Sequence, residues 1–147
     1  MEKIKKDIES FFNQYEERVN NALSGKKVDT KGVINSFTDS FIESSPVGVI
    51  CGKNGKEFGE QIKKGYEAYK KIGITAMDIL SKEVTILDGF HAMAKIYWQS
   101  SYQKKDKTTG EIKFEVLYFL QTKDRNYKIF AFITGDEEKV LKEHGLV

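Results

Sequence analysis

At 147 residues, 39% hydrophobic and 31% charged, the chain is long enough for one domain with a substantial core and too apolar to stay disordered. Lys and Arg outnumber Asp and Glu by 24 to 22, and the lysine pairs (Lys5-Lys6, Lys26-Lys27, Lys63-Lys64, Lys70-Lys71 and Lys104-Lys105) are scattered beside apolar helical positions. They form no dense basic stripe of the kind a phosphate backbone selects, so no nucleic-acid partner is expected, and no apolar run is long enough to make the membrane one.

Ile4, Ile8, Phe11, Phe12, Tyr15, Val19, Ala22 and Leu23 recur at steps of three and four, which predicts a first amphipathic helix ending near Gly25. After the polar turn Lys26 to Lys31, where Asp29 or Thr30 can cap, Ile34, Phe37 and Phe41 predict a second, shorter helix that runs out at Ser44-Ser45-Pro46. Val47 to Cys51 leaves room for a short extended piece. Phe58, Ile62, Tyr66 and Tyr69 mark a third helix from about Lys56 to Ile72, closed by Gly73 in the left-handed conformation.

Beyond Gly73 the period changes from helical to alternating. Met77 to Leu87 and Phe90 to Gln103 read as strands joined by Asp88-Gly89, a pairing that favours a tight hairpin. The charged stretch Lys104 to Glu111 reads as an exposed hairpin tip, followed by strands Ile112 to Thr122 and Tyr127 to Thr134. A short helix from Asp136 ends the chain, with Glu137 and Glu138 in its first turn and Lys142 and His144 in its last. Helices first and then an antiparallel meander predict a single α+β domain over residues 1–147, with helices packed on one sheet face.

Alternation in the second long strand puts Phe90, Ala92, Ala94, Ile96 and Trp98 on one face, which composition turns inward, against His91, Met93, Lys95, Tyr97 and Gln99. His91 then faces outward near the Asp-Gly turn. His91 and His144 are the only histidines and Cys51 the only cysteine, so neither a metal nor a disulfide is expected, and no cofactor motif appears. Cys51 reads most simply as a small apolar residue near a pocket rim. The first residues lack the unbroken apolar core of a signal peptide, so a cytoplasmic location is the expectation.

Asp-Ser-Phe-Ile-Glu-Ser-Ser-Pro-Val-Gly at 39 to 48, Asn54 to Phe58, Tyr-Lys-Ile-Phe-Ala-Phe-Ile-Thr-Gly-Asp at 127 to 136 and the tail Val-Leu-Lys-Glu-His-Gly-Leu at 140 to 146 together resemble the nuclear transport factor two-like superfamily. That superfamily includes the SnoaL-like cyclases and the ketosteroid isomerases. The resemblance implies a cone-shaped α+β barrel, with N-terminal helices packed into a curved antiparallel sheet around a pocket. It supports fold more than chemistry, because this fold hosts enzymes, transport factors and association domains alike.

In the isomerase branch a tyrosine on the first helix donates to an oxyanion, an acid before the Pro-Gly turn moves the proton, and a second acid on the third long strand assists. Tyr15 matches the tyrosine position, but the residue before Pro46 is Ser45 and the assisting position falls at about Phe119. Two roles are therefore vacant, and classical steroid isomerisation is not expected. The candidates for chemistry are Tyr15, which can equally be a packed core tyrosine, Glu43, if the chain beyond Phe41 is extended with that carboxylate inward, and Glu115. Composition turns Phe114, Val116, Tyr118 and Leu120 inward on the third strand, whereas the family register turns Glu115, Leu117, Phe119 and Gln121 inward; a one-residue slip exchanges the faces.

Phe12, Tyr15, Phe37, Phe41, Phe58, Ile62, Trp98, Tyr118 and Phe132 are expected to line the pocket, and a small hydrophobic or aromatic molecule is the expected ligand. Both faces of the third strand carry large apolar groups, so a second copy of the chain is expected to cover part of the convex sheet face as a homodimer. Two functions stay open on the sequence: a SnoaL-like binding protein for small hydrophobic molecules, with or without a weak lyase or isomerase activity, and a non-catalytic dimeric association module.

Overall fold

The computed structural model describes residues 1–147. In chain order the elements are α1 (Glu2–Leu23), α2 (Thr30–Asn35), β1 (Phe37–Ser45), β2 (Gly48–Lys53), α3 (Lys56–Ile72), β3 (Ile74–Ile86), β4 (His91–Gln103), β5 (Thr109–Gln121), β6 (Lys128–Ile133) and α4 (Glu137–Glu143). The strands form one six-stranded sheet in the order β2-β1-β6-β5-β4-β3. The α+β cone is therefore present, with two corrections to its expected form. The sheet is open, with β2 and β3 at its edges, and it is mixed, because β1 runs parallel to β6.

The largest local departure from expectation is the second helix, which stops at Asn35; Phe37 to Ser45 is a strand. Ser36 ends the helix, its hydroxyl donating to Gly32 O at 2.7 Å while accepting from Arg18 Nη2 at 2.8 Å. The segment beyond it, rich in Ser and Thr, has low helix propensity. A spacing of four also returns to the same face of a strand, so Phe37 and Phe41 satisfy either reading. Asp29 caps α2 by accepting from Gly32 N at 2.9 Å. Gly73 ends α3 at φ +104, and Asp136 caps α4 by accepting from Lys139 N at 3.1 Å. The β4–β5 turn is tighter than expected: β5 already begins at Thr109, and Gly110 pairs with Tyr102 within the ladder.

Two features position the concave face. The stripe of α1 buries Ile8, Phe12 and Val19 against the sheet. The polar flank of α1 ties down edge strand β3: Asn20 Nδ2 donates to Met77 O at 2.8 Å, Asn20 Oδ1 accepts from Met77 N at 2.8 Å, and the Glu16 carboxylate accepts from Ile79 N. These bonds satisfy backbone groups that an edge strand otherwise leaves unpaired. Asn54 joins the neighbouring helices, donating to Ile34 O at 2.7 Å and Phe37 O at 3.0 Å while accepting from Gly55 N at 2.8 Å.

The core is one main cluster between α1 and the sheet, with Phe12, Ala92, Ala94, Ile96, Trp98, Val116, Tyr118, Leu120 and Ile129 buried. A smaller cluster, with Val19, Leu23, Ile74, Tyr102 and Ile112 buried and Val140, Leu141 and Leu146 packed against it, lies beneath α4. Of the face of β4 expected to turn inward, Phe90 does not: it lies in the turn before the strand and is 59% exposed.

Candidate functional site

Between α1, α3, α4 and the concave sheet face lies a cavity of about 360 Å³, with 18 of its 24 lining residues hydrophobic. One wall comes from α1 through Tyr15 and Val19, and another from α3 through Phe58, Ile62, Tyr66 and Tyr69. The strands supply most of the rest: Phe37, Phe41 and Glu43 from β1, Ile74 and Met77 from β3, Trp98 and Ser100 from β4, Ile112 to Tyr118 at every second position of β5, and Phe132 from β6. The segment Thr134 to Glu137, with Val140 and Leu141 of α4, covers one end.

The aromatic rings hold one another. Phe58 meets Phe37 at 5.1 Å and Phe41 at 4.8 Å between centroids, and Phe132 lies 6.2 Å from Tyr118. Tyr15 is 6.0 Å from both Trp98 and Tyr118, while Trp98 stacks at 11° on its cross-strand partner Phe114. Such pairs fix ring orientation beyond simple burial. They make the wall a set of mutually supported surfaces.

Polar groups in the cavity are few. Trp98 Nε1 donates to the Tyr118 hydroxyl oxygen at 3.3 Å, which leaves the Tyr118 proton free of that bond. Burial pushes the hydroxyls of Tyr15, Tyr66, Tyr69 and Tyr118 well above the usual phenol range, so all four are neutral near pH 7. Tyr15 is half-buried and lines the cavity. Ser100, only 7% exposed, also lines it. The charged lining groups are all carboxylates: Glu43, Asp136 and Glu137.

The structure sorts the candidate residues. Tyr15 and Glu43 line the cavity, as do Phe37, Phe41, Phe58, Ile62, Trp98, Tyr118 and Phe132. Phe12 does not line it; fully buried behind the wall, it packs against the Tyr118 ring at 4.8 Å. Glu115 is excluded from the cavity. It sits on the convex face with its side chain 56% exposed, 3.6 Å from Lys95 Nζ, because β5 takes the register in which Val116, Tyr118 and Leu120 are buried. Phe119, on that same outer face, lies 6.2 Å from Phe130. Cys51 stands away from the rim, exposed on edge strand β2 opposite Ile42, and His91 contacts Asp88 at 2.9 Å on the surface.

Among the lining residues that sequence reading overlooked are Ser100, Tyr66 and Tyr69 of α3, Ile74 and Met77 of β3, and those of α4. Ser100 continues the inward alternation of Ala94, Ile96 and Trp98, a signal that was legible. Nothing in residues 134 to 141 shows that they fold back over the sheet's end. No group of three or more His, Cys, Asp or Glu side chains is arranged to hold a metal ion, and no helix is long and apolar enough to cross a membrane.

An open curved sheet cupping a largely apolar cavity against its helices defines a cone-type α+β domain. The chain belongs to the NTF2-like proteins: residues 5–137 match the family described as NTF2-like protein (DUF6841). Among solved structures it is similar to an NTF2-like protein with a cystatin-like fold from Novosphingobium aromaticivorans, at TM-score 0.69 and 11% identity, covering 99% of this chain and 89% of that one. A ketosteroid isomerase-like protein from Erwinia carotovora atroseptica matches at TM-score 0.55 and 15% identity, covering 90% and 92%. The association domain of C. elegans CaMKII matches at TM-score 0.61 and 12% identity, covering 87% and 95%. At these identities the likeness is one of fold. Comparison with curated proteins finds no match.

Proposed function

We propose that this chain is a cytoplasmic, SnoaL-like binding protein that holds a small, flat hydrophobic molecule in its cavity. The observation that carries this reading is the cavity of about 360 Å³, with an apolar wall and a small set of polar tips. That combination of volume, aromatic lining and sparse polarity is the usual composition of a small-molecule site. Proton transfer to or from such a ligand would fall to Tyr15 as donor and Glu43 as acceptor. Ser45 has no activating partner, and Phe119 and Glu115 lie outside. A weak lyase or isomerase activity is thus an extension of the binding role.

The test is a thermal-shift screen of neutral fused-ring compounds of two to four rings, followed through the fluorescence of Trp98, the only tryptophan in the chain. Binding should raise the melting temperature and change Trp98 emission, and Ser100→Phe, which fills the cavity, should abolish both. A flat response across the panel would refute the reading.

A second reading, an association module, is favoured by the convex face. Ile42 and Ile133 are 44% and 46% exposed there, next to the half-buried Leu117, Phe119 and Phe130. A continuous apolar patch on a sheet face favours a protein partner, and a second copy of this chain would bury it.

A further inference from the structure

We propose that the cavity's ligand class is a ring-bearing hydrophobic molecule carrying a protonated amine, with the amine beside Glu43 and the rings along Tyr15, Trp98 and Tyr118. This rests on the reading of the cavity as a binding site and goes on to specify the charge that the site accepts.

The first argument is the sign of the lining. Glu43, Asp136 and Glu137 are its charged groups, with no Lys, Arg or His among them. The chain as a whole carries +2, so the acidity is local to the cavity rather than a property of the protein. Asp136 is occupied in capping α4 and Glu137 accepts from the Tyr69 hydroxyl at 2.7 Å. Glu43 has no such engagement, and all four ion pairs of the chain lie elsewhere. Arg18 stacks over the Tyr15 ring at 5.7 Å, but it donates to Ser36 and faces the polar groove on the other side of α1.

Glu43 projects from β1 at the edge where β6 runs on toward α4. Its register partner on β6 is Phe132, and Thr134 N donates to Ser44 O at 2.9 Å, so the strand leading into Asp136 leaves the sheet beside Glu43. A cation placed there meets the Glu43 carboxylate and the neighbouring Phe132 ring, both of which attract it. A carboxylate or phosphate placed there would be desolvated beside like charge with no counter-ion.

An independent observation comes from β4. Ser100 is more than nine-tenths buried, lines the cavity and makes no side-chain hydrogen bond within the protein. No buried side-chain polar atom of the protein is left without a partner, so the Ser100 hydroxyl stays accessible from the cavity as a contact for whatever occupies it. Together with the Tyr118 hydroxyl, which also lines the cavity, it offers the ring-bearing part of a ligand a polar contact on the sheet.

The experiment is isothermal titration calorimetry at pH 7 and low salt with three probes on one ring system: 2-(aminomethyl)naphthalene, 2-naphthalenemethanol and 2-naphthoic acid. The amine should bind about tenfold tighter than the alcohol, and the acid at least about tenfold weaker than it. Glu43→Gln should bring the amine to the alcohol's affinity and leave the alcohol unchanged. If that variant does not fold, Glu43→Ala serves for the comparison and should likewise weaken the amine alone. An amine no tighter than the alcohol, or a preference that persists in the folded variants, overturns the inference while the binding reading stands. Failure of all three probes together with the neutral fused-ring panel overturns both.

Discussion

The Tyr69 hydroxyl on α3 donates to Glu137 Oε2 on α4 at 2.7 Å, and this side-chain bond fastens the short C-terminal helix over the end of the cavity. Burial raises the Tyr69 hydroxyl above the phenol range and Glu137 raises it further, so the donor stays protonated throughout the physiological pH range. Beneath the bond, Val140 and Leu141 pack on the cluster around Ile74 and Ile112.

Tyr69→Phe should therefore loosen α4 without unfolding the domain. The bond is worth roughly 0.5–1 kcal/mol, at the low end because Glu137 faces solvent. Hydrogen exchange followed by mass spectrometry should show faster exchange in residues 137–143 and unchanged exchange in β4. Equal acceleration in both would mean that the bond contributes to the whole fold rather than to the cover.

Phe12→Ala should cost about 3–5 kcal/mol in chemical denaturation, the usual range for removing a fully buried aromatic ring. Because Phe12 supports Tyr118 from behind, the loss should appear in stability first. A cost below about 1 kcal/mol would show that the cluster around Tyr118 repacks freely.

Two glycines of one region should respond in opposite directions. Gly73 sits at φ +104 with its missing Cβ directed at the carbonyl of Gln103, so Gly73→Ala should destabilise by more than about 1 kcal/mol. Gly65, inside α3, has open space where a Cβ would go, and Gly65→Ala should stabilise by about 0.5–1 kcal/mol. Thermal unfolding of both variants decides it.

Asp7 Oδ2 accepts from the Tyr127 hydroxyl at 2.6 Å and from Arg125 Nε at 2.9 Å, tying α1 to the start of β6. These two donors, Tyr127 first, hold the Asp7 carboxyl below its ordinary range. A carboxyl whose folded value is depressed contributes stability that is complete above its unfolded value and lost as pH falls through the folded one. Asp7→Asn should thus lower the melting temperature at pH 7 and by progressively less as the pH drops below 4. A difference that is constant with pH would show that packing, not charge, is what the substitution removes.

Light scattering at micromolar concentration should return twice the 16.8 kDa of one chain, and Ile133→Lys should return the single-chain mass with an unchanged circular dichroism spectrum. A wild-type mass of one chain would exclude the sheet-to-sheet dimer.

Local sequence determined the elements whose signals are short-range. The stripe of α1, the amphipathic run and Gly73 stop of α3, the Asp136 cap of α4 and the alternation of β4 each follow from the chain's own periodicity or capping chemistry. Ile34, Phe37 and Phe41 could not be decided that way, because a helix and a strand both bring positions four apart onto one face. What settled Phe37 to Ser45 as a strand was pairing on both sides, antiparallel with β2 and parallel with β6 at the far end of the chain. The pairing with β6 set Glu43 opposite Phe132 on the cavity side, while cross-strand register buried Tyr118 and sent Glu115 out to Lys95. Glu43 was legible in the sequence only as a conditional candidate and Asp136 and Glu137 only as the start of a helix; strand register, where one step exchanges the two faces, turned Glu43 inward, and the packing of α4 brought the other two to the cavity.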